Sequence, residues 1–147
     1  STAPARQKLL GAAITLIRAN GYAATSVDDL CRAAGVTKGA FFHHFASKER
    51  LAVAAADHFT AMAAGWFNEA PFLRFEDPVD RILGYVDFRI GRLSDDVGQS
   101  SCLLGTLVQE AYGTSEPIRE AAFIGIARQA AGLEPDLAAP IAERALG

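Results

Sequence analysis

The sequence predicts an all-α protein, and three observations lead to this fold class. The chain of 147 residues is half hydrophobic and rich in alanine, with few runs of β-branched residues. Its apolar residues recur at spacings of three and four, which align them along one face of a helix. Glycines and prolines separate these periodic segments. The length suits one compact domain or two small helical layers.

The first helix is predicted from about Pro4 to Asn20. Proline is well placed in a first helical turn, and Gly21 is a natural end for the helix. The apolar residues of this segment share one face, which we expect to be buried: Leu9, Leu10, Ala13, Ile14 and Ile17.

Two short helices joined by a tight turn are predicted within residues 25–50. Ser26 is a good N-cap for the first of them, and Thr37 for the second. Gly35 ends the first, because glycine alone takes the left-handed turn conformation without steric cost. The residues expected on their inner faces are Val27, Leu30 and Cys31 in the first helix and Phe41 and Phe45 in the second.

The outer face of the second short helix is polar and basic, with Lys38, His43 and His44. A short helix, a glycine turn and a second helix with such a face form the layout of a helix-turn-helix that reads the DNA major groove. The charge distribution agrees. Residues 1–50 contain seven Lys/Arg and three Asp/Glu, a net charge of 7 − 3 = +4. Residues 51–147 contain seven Lys/Arg and fourteen Asp/Glu, a net charge of 7 − 14 = −7. A cationic head on an acidic body indicates that the head meets phosphates.

The next segments predict a long helix, a break and a further helix. The fourth helix begins at Ser47, and its inward face is expected to carry Leu51, Ala55, Phe59, Met62 and Trp66. Prolines bracket the break at residues 70–78. A fifth helix is predicted from about Val79 to Leu93, with Ile82, Val86 and Ile90 on one face.

The last third of the chain predicts a loop and two more helices. The loop covers residues 94–100, and a helix follows from about Ser101 to Tyr112. Ser115 is expected to cap the last helix, which we expect Pro135 and Pro140 to interrupt.

A specific combination of residues runs through the segment from Arg6 to Phe59: Leu10, Ala13, Gly21-Tyr22, Thr25-Ser26-Val27, Leu30, Ala33-Ala34-Gly35-Val36, Lys38-Gly39, His43-His44-Phe45 and Ser47-Lys48-Glu49. On these residues the segment resembles the DNA-binding domain of the TetR family, the tetracycline-repressor-like transcriptional regulators. The resemblance covers roughly the first third of the chain. Residues 101–110 also resemble the seventh helix of one branch of TetR-type ligand domains.

The resemblance implies a set of DNA contacts around the two short helices. Ser26 and Thr37 have capping as an alternative role, and both roles are compatible. The family usually has a tyrosine, whose hydroxyl commonly touches a phosphate, where this chain has Phe42. That residue either contacts sugar or a thymine methyl, or packs at the surface. The expected DNA-binding residues are Thr25, Ser26, Thr37, Lys38, Gly39, Phe42, His43, His44 and Lys48.

The resemblance also implies a ligand cavity among helices four to seven of the family. For each aromatic residue there, ordinary core packing is the alternative, and His58 could equally be a core or surface histidine. Cys102, at the start of a predicted helix, is either a reactive sensor thiol or a small packing residue. Cys31 is expected to be inert. The candidate pocket residues are His58, Phe59, Met62, Trp66, Tyr85, Phe88 and Cys102.

We expect two domains, a DNA-binding head at residues 1–46 and a helical ligand-binding and dimerisation domain at residues 47–147. Family members normally end with two long dimer-forming helices, of which one is recognisable here, so we expect either a truncated protein or a sequence that omits segments. The stripe formed by Ile118, Ala122 and Ile126 has little else in the chain to cover it, which predicts a homodimer.

Together these features predict a ligand-responsive regulator, and we expect a repressor. As a homodimer it would bind a pseudo-palindromic operator in double-stranded DNA, and a small-molecule effector would release it. The alternative is a helical redox or ligand sensor, or an architectural DNA-binding protein without a discrete operator. We expect no enzyme, catalytic set, metal site, cofactor, signal peptide or membrane span. Two cysteines far apart in sequence favour a reducing, cytoplasmic setting.

Overall fold

The computed structural model describes residues 4–93, 96 and 100–146. This part of the chain forms seven α-helices and one short 3₁₀ helix and contains no strand, which confirms the all-α prediction. The elements are α1 (Ala5–Asn20), α2 (Val27–Ala34), α3 (Lys38–His44), α4 (Lys48–Asn68), the 3₁₀ helix (Pro71–Arg74), α5 (Pro78–Gly91), α6 (Leu103–Ala111) and α7 (Glu116–Leu146).

The predicted caps at the short helices are present. The Ser26 hydroxyl accepts a hydrogen bond from the Asp29 N–H, and the Asp29 carboxylate accepts one from the Ser26 N–H, both at 3.0 Å. This reciprocal capping box fixes the start of α2. Gly35 ends α2 with a left-handed φ of 65°. Thr37 then caps α3 by accepting from the Ala40 N–H at 3.1 Å. Local chemistry therefore determines the sharp turn between α2 and α3.

One continuous core joins the first three helices to the rest of the chain. The predicted α1 stripe is buried, and Leu9 and Ile17 are almost completely so. The same cluster includes Leu51 from α4 and Leu107 from α6. Truncating such a leucine to alanine costs about 2–5 kcal/mol of folding stability, because a cavity remains. The head therefore sits on the body through packed side chains.

The last helix is continuous where the sequence predicts an interruption. We expected Pro135 and Pro140 to interrupt it, but α7 runs from Glu116 to Leu146. A proline inside a helix lowers its stability by about 3 kcal/mol, because it removes one backbone hydrogen bond and its ring clashes with the preceding turn. A helix of 31 residues that packs on α4, α5 and α6 tolerates that cost.

The predicted dimer stripe is mostly part of the chain's own core. Ile118 and Ala122 are fully buried, so no partner is needed to cover them. Gly125 explains the close packing, because a Cβ there would meet Leu104 at 2.7 Å and would also clash with Thr60. Ile126, the third residue of the stripe, is 37% exposed, and α7 also exposes Phe123, at 66%, and Ile124, at 50%, on another face.

The apolar stripe predicted on α5 is more exposed to solvent than the side chains of the core. Val86 and Ile90 are 45% and 58% exposed, and no residue of α5 is fully buried. The break at residues 70–78 contains the 3₁₀ helix, whose Phe72 is buried.

Apart from Asp96 and Ser100, the loop predicted at residues 94–100 lies outside the described residues. None of the helices in the described part of the chain has both the length and the apolar character of a membrane span.

Candidate nucleic-acid interface and effector cavity

The outer face of α3 presents the predicted contact residues to solvent. Thr37, Lys38, Gly39, His43 and His44 are all exposed, as is Ser26 at the start of α2. Phe42 is 54% exposed, with its ring edge-on to that of Phe41 at 5.0 Å between centroids. The face combines hydroxyl, ammonium and imidazole groups with one aromatic ring. These are the groups that contact phosphates, base edges and thymine methyls.

Two phenylalanines hold α3 in place from behind. Phe41 is completely buried and Phe45 is 6% exposed, as predicted for the inner face. Their ring centroids are 6.2 Å apart, and the Arg6 guanidinium lies 5.5 Å from the Phe45 centroid. Because these rings pack in the core, α3 cannot rotate without exposing them. The helix therefore offers a fixed surface to a groove.

An ion pair crosses the turn between α2 and α3. The Lys38 ammonium lies 2.9 Å from the Asp28 carboxylate, and both side chains are about three-fifths exposed. An exposed pair of this kind contributes little to stability, at most about 1 kcal/mol. Lys38 can therefore exchange Asp28 for a phosphate at small cost.

The structure gives two predicted contacts an internal role. Thr25 is 2% exposed and donates its hydroxyl hydrogen to the Gly21 carbonyl at 2.7 Å. Its burial argues against a side-chain contact with DNA, which corrects the expectation for Thr25. Lys48 donates to the Tyr22 carbonyl at 3.1 Å, and its ammonium lies 4.2 Å from the Tyr22 ring centroid. Lys48 thus holds the turn between α1 and α2.

The same turn is also held from the body of the protein. The Glu110 carboxylate, on α6, accepts hydrogen bonds from the backbone N–H groups of Tyr22 and Ala23, the latter at 3.3 Å. Gly21 makes room for this contact: its φ is 91°, and a Cβ there would lie 2.9 Å from Glu110. We call this arrangement of Glu110 on the turn at residues 21–23 the clasp. Sequence reasoning missed it, because nothing local to Glu110 indicates a partner almost ninety residues away.

Two further links join the head to the body. The Ser115 hydroxyl donates to the Glu49 carboxylate at 2.9 Å and also accepts from the Ile118 N–H, so it caps α7. Arg18 and Ser101 exchange two hydrogen bonds. The Arg18 side chain donates to the Ser101 carbonyl at 2.8 Å, and the Ser101 hydroxyl donates to the Arg18 carbonyl at 3.1 Å.

A cavity of about 510 Å³ lies among α4, α5 and the start of α6. Five of the seven predicted pocket residues line it: Phe59, Met62, Trp66, Tyr85 and Cys102. The other two do not. His58 is exposed and does not line the cavity, and Phe88 packs against Phe67 and Phe72 with centroids 5.5 and 5.7 Å apart. A cavity of this volume holds a small organic molecule.

Three arginines at the cavity were missed in the sequence. The Arg92 guanidinium lies 4.0 Å from the Trp66 ring centroid, Arg89 lies 6.0 Å from that of Phe67, and Arg18 lies 5.5 Å from that of Phe59. Burial lowers the pKa of Arg18, and the nearby charge of Arg92 lowers it further. The spacing of Arg89 and Arg92, three residues apart at the end of a helix, was the available signal.

The two cysteines occupy different surroundings. Cys102 is partly exposed at the N-cap of α6, in the cavity wall. Cys31 is buried in the head, and this burial raises the pKa of its thiol. Across the described residues, no group of three or more His, Cys, Asp or Glu side chains is placed to hold a metal ion.

The architecture defines the class of protein. A helix-turn-helix with an exposed basic face, mounted on a helical body with a cavity, is the plan of a DNA-binding protein of the helix-turn-helix type. Residues 9–55 match the family described as bacterial regulatory proteins, tetR family. This match confirms the resemblance of the head to that family.

The chain is also similar to several regulators. The transcriptional regulator AcuR of Cereibacter sphaeroides is 27% identical over 83% of this chain and 55% of its own length. Escherichia coli NemR, solved in its reduced form, is 30% identical with a TM-score of 0.71, over 84% of this chain and 64% of NemR. A TetR-family regulator from Agrobacterium tumefaciens, 22% identical, shares the fold with a TM-score of 0.82 over 95% of this chain and 72% of its own.

The chain thus spans just over half of AcuR and less than two thirds of NemR. The family is one of DNA-binding regulators, in agreement with the expectation that the protein is not an enzyme.

Proposed function

We propose that the protein is a ligand-responsive transcriptional repressor that binds a pseudo-palindromic operator as a homodimer. The observation that carries the proposal is the clasp. It ties the DNA-binding head to α6, the helix whose other end forms part of the cavity wall. The proposed DNA contacts are the exposed residues Ser26, Thr37, Lys38, Gly39, Phe42, His43 and His44. Operator binding would place this activity in the cytoplasm, where bacterial DNA resides.

The proposed signal travels along α6. This helix has nine residues and is therefore about 13 Å long. Its N-cap, Cys102, lies at the cavity, and Glu110 in its last turn holds the backbone of the turn at residues 21–23. A ligand that displaces the start of α6 would shift Glu110 and release that turn. Such a ligand changes DNA affinity only by its differential affinity for the two states.

The proposed dimer uses the exposed face of α7. Phe123 and Ile124 share this face with Ala127 and Ala131, one helical turn and two turns further on, and all four are exposed. An apolar face with small residues suits close packing against the same helix of a second copy. A dimer would present two α3 helices about 34–36 Å apart, which matches successive major grooves.

The trigger and the mode of DNA binding each have an alternative. Cys102 in the cavity wall supports a sensor thiol as the trigger in place of a bound ligand. An architectural protein would use the basic head without choosing a sequence.

A hydroxyl-radical footprint on the duplex that the protein enriches from a random pool tests the proposal. We expect two protected tracts on one palindrome, weakened together when Lys38 and His44 are replaced by alanine. Diffuse protection of every duplex would support the architectural alternative and contradict the proposal.

A further inference from the structure

Among the residues that the structure describes, the wall of the cavity carries positive charge without matching negative charge. Arg18, Arg89 and Arg92 line it, and none of its described lining residues is an Asp or Glu. The charge of Asp96 acts on Arg18, which already donates to the Ser101 carbonyl, so Arg18 is committed to the protein. The guanidinium groups of Arg89 and Arg92 are left for a ligand.

Aromatic rings contact the guanidinium groups of both Arg89 and Arg92. Within the described part of the chain, neither guanidinium makes a hydrogen bond or an ion pair. Arg92 stacks on Trp66 at 4.0 Å and lies 5.7 Å from the Phe88 centroid, and Arg89 lies over Phe67. A stacked guanidinium keeps its N–H groups available in its own plane, where they can bind a carboxylate in a bidentate manner. Both side chains are exposed, which places this anion site at the mouth of the cavity.

The interior of the cavity is suited to an apolar group. Phe59, Met62, Trp66 and Phe67 line it, and its volume of about 510 Å³ is within the usual range for small-molecule sites. Building on the proposed function, we infer that the effector is a small organic carboxylate. Its aromatic or aliphatic body lies against Trp66, and its carboxylate binds Arg89 and Arg92.

The test uses Trp66, the only tryptophan in the chain, as a reporter of binding without DNA. Phenylacetate and octanoate are titrated beside phenylacetamide and octanamide, which have nearly the same shape and no charge. At least one acid is expected to change the Trp66 fluorescence saturably. It should bind about tenfold or more tightly than its amide, as expected for a hydrogen-bonded charge pair.

Variants locate the anion site. Arg89→Gln and Arg92→Gln should each weaken binding of the acid by about tenfold and leave binding of the amide unchanged. Arg50→Gln, which removes an exposed arginine from the first turn of α4, is the matched control and should bind as the wild type does. Because Arg92 touches the reporter, titration calorimetry provides a second readout for that variant. Melting curves confirm that each variant is folded.

The outcomes separate this inference from the proposed function. Equal affinity for acid and amide, absence of binding by both acids, or full binding by both arginine variants overturns the carboxylate site. Each of these leaves DNA binding by the head intact. Acids that bind with the expected charge preference but do not weaken operator binding support the site and contradict ligand-responsive regulation.

Discussion

The carboxylate of Glu110 accepts hydrogen bonds from the backbone N–H groups of Tyr22 and Ala23, eighty-eight and eighty-seven residues earlier in the chain. On the other side of the same turn, Lys48 donates to the Tyr22 carbonyl. The turn between α1 and α2 is therefore held by one anion and one cation from different helices. Since α2 and α3 follow this turn directly, its position sets the position of the recognition surface.

Replacing Glu110 with glutamine is expected to loosen the clasp. The amide keeps one acceptor oxygen but loses the negative charge and brings its own N–H groups towards two N–H donors. The backbone amides of Tyr22 and Ala23 should then exchange hydrogen about tenfold faster, which corresponds to the loss of roughly 1.4 kcal/mol. Hydrogen exchange followed by NMR or mass spectrometry measures this directly.

The control for this change is Glu120→Gln. Glu120 is an exposed carboxylate on α7, so its loss should leave exchange at residues 21–23 unchanged. Equal exchange at those residues in wild type and Glu110→Gln would show that the clasp does not hold the turn.

Replacing Lys38 and replacing Asp28, the two members of one ion pair, should change operator affinity in opposite directions. Lys38→Ala should weaken operator binding and reduce the slope of log affinity against log salt by about 0.9, because one fewer counterion is released. Asp28→Asn should strengthen binding, because it removes an anion from the surface and frees Lys38. Fluorescence anisotropy at several salt concentrations measures both effects. Lys8→Ala, on α1, is the control, and a Lys38→Ala variant with the wild-type slope would exclude Lys38 as a contact.

The local features of the head could be predicted from the sequence because short-range chemistry determines them. Ser26, Gly35 and Thr37 each act within four residues of their own position, so their roles are visible in the sequence. The position of Phe41 in the core followed in the same way from helical spacing.

Features that depend on distant partners could not be predicted. Ile118 and Ala122 looked like an unpartnered stripe, because the sequence does not show that α4 and α6 cover them. Thr25 looked available for DNA, although it is buried against the Gly21 carbonyl. The clasp and the aromatic stacking of Arg92 on Trp66 also depend on tertiary packing.

A charged residue on the exposed face of α7 should dissociate the proposed dimer. Phe123→Glu should yield monomers in sedimentation at micromolar concentration, because a carboxylate would be buried in an apolar contact. Thr114→Glu, an exposed residue just before α7, should sediment as the wild type does. Ala122→Glu is unsuitable for this purpose, because a charge at a fully buried site should unfold the chain. A dimer that survives Phe123→Glu unchanged would rule out this face.

The two cysteines are expected to differ in reactivity. Cys102 is partly exposed, whereas Cys31 is buried and its pKa is raised by that burial, so less of it is thiolate at neutral pH. Iodoacetamide should therefore label Cys102 faster, as mass spectrometry of timed digests would show. If labelling also releases DNA and Cys102→Ser abolishes that release, a sensor thiol is the trigger. If labelled protein keeps its DNA, Cys102 only forms part of the cavity wall. Equal rates at the two cysteines would contradict the prediction.

Selection of bound duplexes from a random pool tests most directly whether paired α3 helices read one operator. The protein should enrich an inverted repeat whose half-sites lie about one helical turn apart, centre to centre. Replacing Lys38 and His44 with alanine should remove the enrichment. A pool that stays random after repeated rounds, or that converges on a single unpaired half-site, would contradict paired reading by α3.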